Sequence, residues 1–162
     1  MRILLAALLL SAGCASAQKR PGAEAASGAA AARAEGPVGD AAALSPLSDS
    51  AIPKGECGMV LWTLDEDRPA PIFRYVVGKD ADLVIDGKPT RLVRGDFTGS
   101  GGFGVAERQT FANDAGLSVT VEARFSLGFD GGNYLERGII SVETAGGWKT
   151  VVPAAGIAGC RS

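Results

Sequence analysis

The chain of 162 residues contains no histidine. Ser-His-Asp and Cys-His constellations, which need an imidazole to take a proton from the nucleophile, therefore cannot be built. The carboxylates offer little in exchange. Asp65, Glu66 and Asp67 are consecutive and stand beside Arg68 and Pro69, which reads as a solvated turn rather than the separated pair a glycosidase needs. Asp65, Asp67, Asp80 and Asp82 have calcium-binding side chains, but their spacing matches no calcium loop of the EF-hand kind. No phosphate-cradling or dinucleotide fingerprint occurs, because "GSGGFG" (Gly99–Gly104) opens no strand-to-helix transition. The expectation is a protein without catalytic residues, cofactor or metal.

Three cysteines carry the remaining chemistry: Cys14, Cys57 and Cys160. Cys14 follows an unbroken apolar run, Ile3 to Leu10, behind the single charge of Arg2. That run is too short to span a bilayer and fits the core of a secretory signal. Export to an oxidising compartment leaves Cys57 and Cys160 as an even pair near the two ends of the aromatic-bearing segment. A disulfide joining the first strand to the last is the expected arrangement.

Candidate binding residues lie in two places. "GDFTGSGGFG", Gly95 to Gly104, has glycine at five of its ten positions and can bring backbone N–H groups close to a partner. Ser100, Gly101 and Phe103 are the candidates there, and Phe97 would be costly to expose. The plainer reading of the same stretch is a long mobile hairpin connection without a binding role. Trp62 and Trp148 are the stacking candidates. A tryptophan in a small β domain is usually core, and Trp148, directly after "AGG", is the better placed of the two for exposure.

The elements that must position these residues are strands. "LSVTVEARF", Leu117 to Phe125, alternates apolar with polar residues, the signature of a half-buried strand. "CGMVLWTL" and "PIFRYVV" read as earlier strands. "DLVIDGKPTRLV" is a hairpin turning at Asp86-Gly87. "FGVAERQTFA" pairs with Leu117–Phe125 across "NDAG", and "YLERGIISVET" with "WKTVVP" across "AGG". The expected fold is all-β: a small antiparallel barrel or sandwich of seven or eight strands, with no helix.

All aromatic residues lie between Trp62 and Trp148, so the only core falls in residues 51–162. Residues 18–50, rich in Ala with scattered Gly, Pro and Ser, read as a flexible linker. Residues 1–17 read as the signal peptide. Within 51–162, twelve Lys and Arg stand against fourteen Asp and Glu, without a basic stripe, which argues against a nucleic-acid partner.

Two resemblances add to this reading. "SAGC", Ser11 to Cys14, resembles the lipobox of bacterial lipoproteins; the resemblance implies a lipid on Cys14, anchorage in the outer membrane facing the periplasm, and neighbours such as envelope proteins or peptidoglycan. "ASA", Ala15 to Ala17, is an overlapping A-x-A site whose use would instead release a soluble periplasmic or secreted protein beginning at Gln18. The layout of a cysteine near each end of the domain and a hairpin followed by "GSGGFG" is similar to the membrane-bound inhibitors of C-type lysozyme. Ser100 and Gly101 match the first two positions of that family's Ser-Gly-x-x-Tyr loop, while Gly104 stands where the tyrosine would be. The resemblance implies inhibition of a cell-wall hydrolase through Thr98–Gly104. The leading expectation is an exported envelope protein carrying a small non-catalytic binding or structural module.

Overall fold

The computed structural model describes residues 42–162. The signal peptide, Cys14 and the linker up to residue 41 lie outside the described residues. The rest is all-β, with nine strands: β1 Leu44–Ser45, β2 Cys57–Thr63, β3 Pro71–Val76, β4 Ala81–Ile85, β5 Lys88–Gly102, β6 Val105–Ala112, β7 Ser118–Phe129, β8 Gly132–Glu143 and β9 Lys149–Cys160. From β2 to β9 each strand pairs antiparallel with the next in sequence, and β9 pairs back to β2. The result is a closed eight-stranded up-and-down barrel, with β1 added outside on β4.

Alternation decides what fills it. Met59 and Leu61 of β2, Phe73 and Tyr75 of β3, Leu83, Leu92, Phe111, Val119, Val121, Leu135, Ile140 and Val142 form one buried cluster. Phe111 stands at the centre of the aromatic packing, 5.2 Å edge-on from both Phe73 and Tyr75. Ala154 and Ala158 of β9 belong to the same cluster. At Gly156 a Cβ would come within 2.0 Å of the Val60 carbonyl oxygen, so that position admits only glycine. The outer face carries charge, including the Arg108–Glu122 pair across β6 and β7. Apolar inside and charged outside is the inverse of a porin-like barrel, whose lipid-facing side is apolar and whose lumen is polar.

The closing seam is β2–β9, in register from Cys57 opposite Cys160 to Thr63 opposite Ala154. A disulfide joins Cys57 to Cys160, first barrel strand to last, as the cysteine spacing leads one to expect. The Asp86-Gly87 turn has both residues at positive φ, 50° and 74°, the geometry of a tight two-residue hairpin.

Two expectations need correction. Residues 42–50 are not linker. Ala42 is only 3% exposed, and Leu44 packs against the barrel interior cluster. Ala43 and Asp86 exchange backbone and side-chain hydrogen bonds of 2.9 Å. The segment joins the sheet because β3 pairs with β4 only at Asp82 and Ala81, leaving Val84 and Ile85 free to take β1. Gly95–Gly104 is not a long connection either. It is the end of β5, and only Phe103 and Gly104, at φ 56° and 75°, form the turn into β6. The glycines serve two register shifts, between Arg94 and Phe97 and between Thr98 and Gly101, where an extra residue bends the strand.

Candidate functional site

The meander sorts the connections between two barrel ends. One end holds the β3–β4, β5–β6 and β7–β8 turns together with the disulfide. The other holds the β2–β3, β4–β5, β6–β7 and β8–β9 connections. Ser100, Gly101 and Phe103 belong to the first end. Trp148, in the β8–β9 connection and 41% exposed, belongs to the second. The sequence-derived candidates therefore do not form one site.

At the first end the register shifts bring together two side chains that simple alternation would separate. Arg94 and Phe97 are three residues apart, which in a regular strand places them on opposite faces. Arg94 stands opposite Phe111 and Phe97 opposite Gln109, so three steps on β5 span two on β6. The extra residue turns Phe97 to the side of Arg94. The guanidinium carbon lies 4.1 Å from the Phe97 ring centroid and 5.4 Å from that of Tyr75, within cation–π range of both.

Polar contacts fix this guanidinium at one corner only. Its Nη1 donates to the Tyr75 hydroxyl at 3.2 Å and to the Gly104 carbonyl at 3.1 Å. Its Nε is shielded from solvent with no acceptor among the described residues. Among the described residues Arg94 forms no ion pair, whereas Arg74 is held by Asp82 at 2.7 Å and Lys79 by Glu56 at 2.6 Å. Beside it runs an open groove of about 400 Å³ lined by Val77, Phe97, Val105, Ala106 and the glycine-rich end of β5. Arg94 is the only cation in that lining.

The sequence-derived residues take different parts here. Gly101 lines the groove, but its glycine identity is structural: a Cβ would lie 2.1 Å from the Val105 carbonyl oxygen. Ser100 is exposed, and its N–H donates to Glu107 Oε2 at 3.2 Å. Phe103 is half-buried in the turn itself. Phe97 is 61% exposed and is the aromatic residue that lines the groove. Arg94 was not among the candidates. The signal that could have found it is its parity with Leu92, which puts a cation on the inward face of a strand.

Other surfaces offer less. Trp62 sits on the outer face of β2, where it lines an apolar groove of about 400 Å³ with Ile52, Val60, Phe129 and Ile157. Asp65 accepts the N–H groups of Asp67 and Arg68 at 3.0 and 3.2 Å, as a surface turn does. Asp82 is committed to Arg74. Among the described residues no three His, Cys, Asp or Glu side chains group as a metal site. No protein-family model, curated protein or solved structure matches the chain.

Proposed function

We propose that this chain is an exported envelope protein whose barrel is a non-catalytic binding module, recognising its ligand at the β5–β6 end of the barrel. Because side chains fill the interior, a ligand must be taken at an end or on the outside. The observation that carries the reading is Arg94: a half-buried cation without a carboxylate partner among the described residues, stacked on two aromatic rings beside an open groove. Export and a lipid on Cys14 are supported by the apolar run and "SAGC", and the Cys57–Cys160 disulfide suits an oxidising compartment.

The test is photo-crosslinking in the producing cell, with a reactive phenylalanine analogue at position 97 or, as a control at the other end, at position 148. The expected result is an adduct of defined mass from position 97 alone. No adduct, or equal adducts from both positions, refutes this end as the recognition surface.

A second reading has one observation in its favour. The bulged ribbon Thr98–Gly104 presents an exposed Ser100, and its glycines line the groove of Arg94, a cation without an ion pair among the described residues, which complements an acidic cleft such as a cell-wall hydrolase offers. Inhibition of C-type lysozyme by the purified protein, lost in Ser100→Ala/Phe103→Ala, would support it. Full lysozyme activity at micromolar protein would remove it.

A further inference from the structure

Resting on that reading of the site, we propose that the Arg94 groove binds an organic carboxylate carried on an apolar body. Three observations converge on this class of ligand. The first is charge. A half-buried guanidinium whose Nε is shielded from solvent is matched by an anion or by several acceptors. Here Nη1 is satisfied by Tyr75 and Gly104, Nε has no acceptor, and Nη2 makes no hydrogen bond within the described residues. The group is held in place by ring stacking on Phe97 and by its bonds to Tyr75 and Gly104, so a ligand meets a pre-oriented donor and spends little ordering entropy on it.

The second is the number of charges. Among the described residues Arg94 is the only charged side chain lining the groove. A dianionic phosphate would meet one positive group and leave a charge without a partner. A carboxylate carries a single charge that one guanidinium neutralises.

The third is the lining. Val77, Phe97, Val105 and Ala106 give apolar walls, and a volume of about 400 Å³ falls in the range of small-molecule sites. A ligand with a charged head and an apolar or planar body matches this composition. The same carboxylate chemistry occurs on free organic acids and at the C-terminus of a peptide ending in an apolar residue, and the assay separates the two.

The purified protein is titrated calorimetrically with four probes: 3-phenylpropionate, its neutral amide, acetyl-Gly-Phe with a free C-terminus, and inorganic phosphate. Binding of the free acid, with the amide at least ~10-fold weaker, is the expected result. Tighter binding of acetyl-Gly-Phe than of the free acid identifies a chain terminus as the source; the opposite order identifies a free acid. Arg94→Gln is expected to lower affinity at least ~10-fold, and Arg124→Gln, in a different groove on the β6–β7–β8 flank, to leave it unchanged. Should Arg94→Gln fail to fold, Phe97→Ala, which removes one mostly exposed ring, is expected to weaken the same binding several-fold. Equal binding of acid and amide, phosphate binding as tight as the acid, or no binding of either carboxylate overturns the proposal. A crosslink from position 97 in that last case would leave the binding-module reading standing and the carboxylate assignment refuted.

Discussion

Removing the disulfide tests how the barrel is closed. Cys57 and Cys160 are 103 residues apart, and between them runs every barrel strand. In the chain-entropy picture, a cross-link closing a loop of that length removes from the unfolded ensemble freedom equivalent to about 4.7 kcal/mol at room temperature. The folded side changes little, because the β2–β9 seam is held by its own register from Cys57–Cys160 to Thr63–Ala154 whether or not the sulfurs are joined. Replacing both cysteines by alanine is therefore expected to lower unfolding stability by about 3–5 kcal/mol. That is a large part of the roughly 5–15 kcal/mol a domain possesses. The denaturant dependence should steepen as well, since an unlinked unfolded chain exposes more surface. Urea unfolding followed by tryptophan fluorescence reads both quantities, and Trp62 lies on β2, at the seam itself. A loss below about 1 kcal/mol with unchanged slope would refute the reasoning: the unfolded chain would then already keep its ends together.

Three further perturbations probe other parts of the fold. Gln109 is fully buried, its amide nitrogen 3.7 Å from the Met59 sulfur and its amide oxygen without a partner among the described residues. Gln109→Met should stabilise the barrel by about 1 kcal/mol in chemical unfolding, and a clear loss would mean that the amide oxygen is bonded in the folded protein. Gly156→Ala places a methyl group against the Val60 carbonyl oxygen at 2.0 Å, and should cost more than about 2 kcal/mol or prevent folding; unaltered thermal stability would argue against this close strand approach. A chain beginning at residue 51 should be less stable than one beginning at residue 42 by about 2 kcal/mol, the order of burying Ala42 and half-burying Leu44. Equal melting would show that β1 adds nothing.

What could be read from the sequence was whatever local chemistry determines alone. Strict alternation in Leu117–Phe125 placed Val119, Val121 and Ala123 inside, and they are inside. Asp86-Gly87 names its own turn type, and the two late cysteines name their bond. What escaped depends on partners distant in sequence. Ala42 and Leu44 sit in an alanine-rich stretch with no periodicity, and only the vacant edge at Val84–Ile85 makes a strand of Leu44–Ser45. Closure through β4–β5 on one side and β2–β9 on the other is invisible to any window of a few residues. Trp62 shows the same limit: a tryptophan in a strand suggests core, yet Met59 and Leu61 occupy the inward parity of β2 and leave Trp62 outside.

The glycine-rich run connects fold to site. Read locally, five glycines in ten residues point to a loop, because glycine weakens regular strands. In the barrel the same residues permit two register shifts and a close approach at Gly101 without ending the strand. The first of those shifts carries Phe97 to the side of Arg94, so the site follows from how this strand bends rather than from any motif in its letters. A residue list built on composition finds Ser100, Gly101 and Phe103, which flank the bend. It passes over Arg94, whose importance lies in its inward parity, its two ring neighbours and the carboxylate it lacks among the described residues. If the shared side is what makes the site, deleting Asp96 removes the bulge yet leaves Phe97 two steps from Arg94 and on the same face. Calorimetric binding of 3-phenylpropionate should then survive, with the β2–β9 seam and its disulfide in place; loss of binding in a folded protein would show that the bend itself is needed.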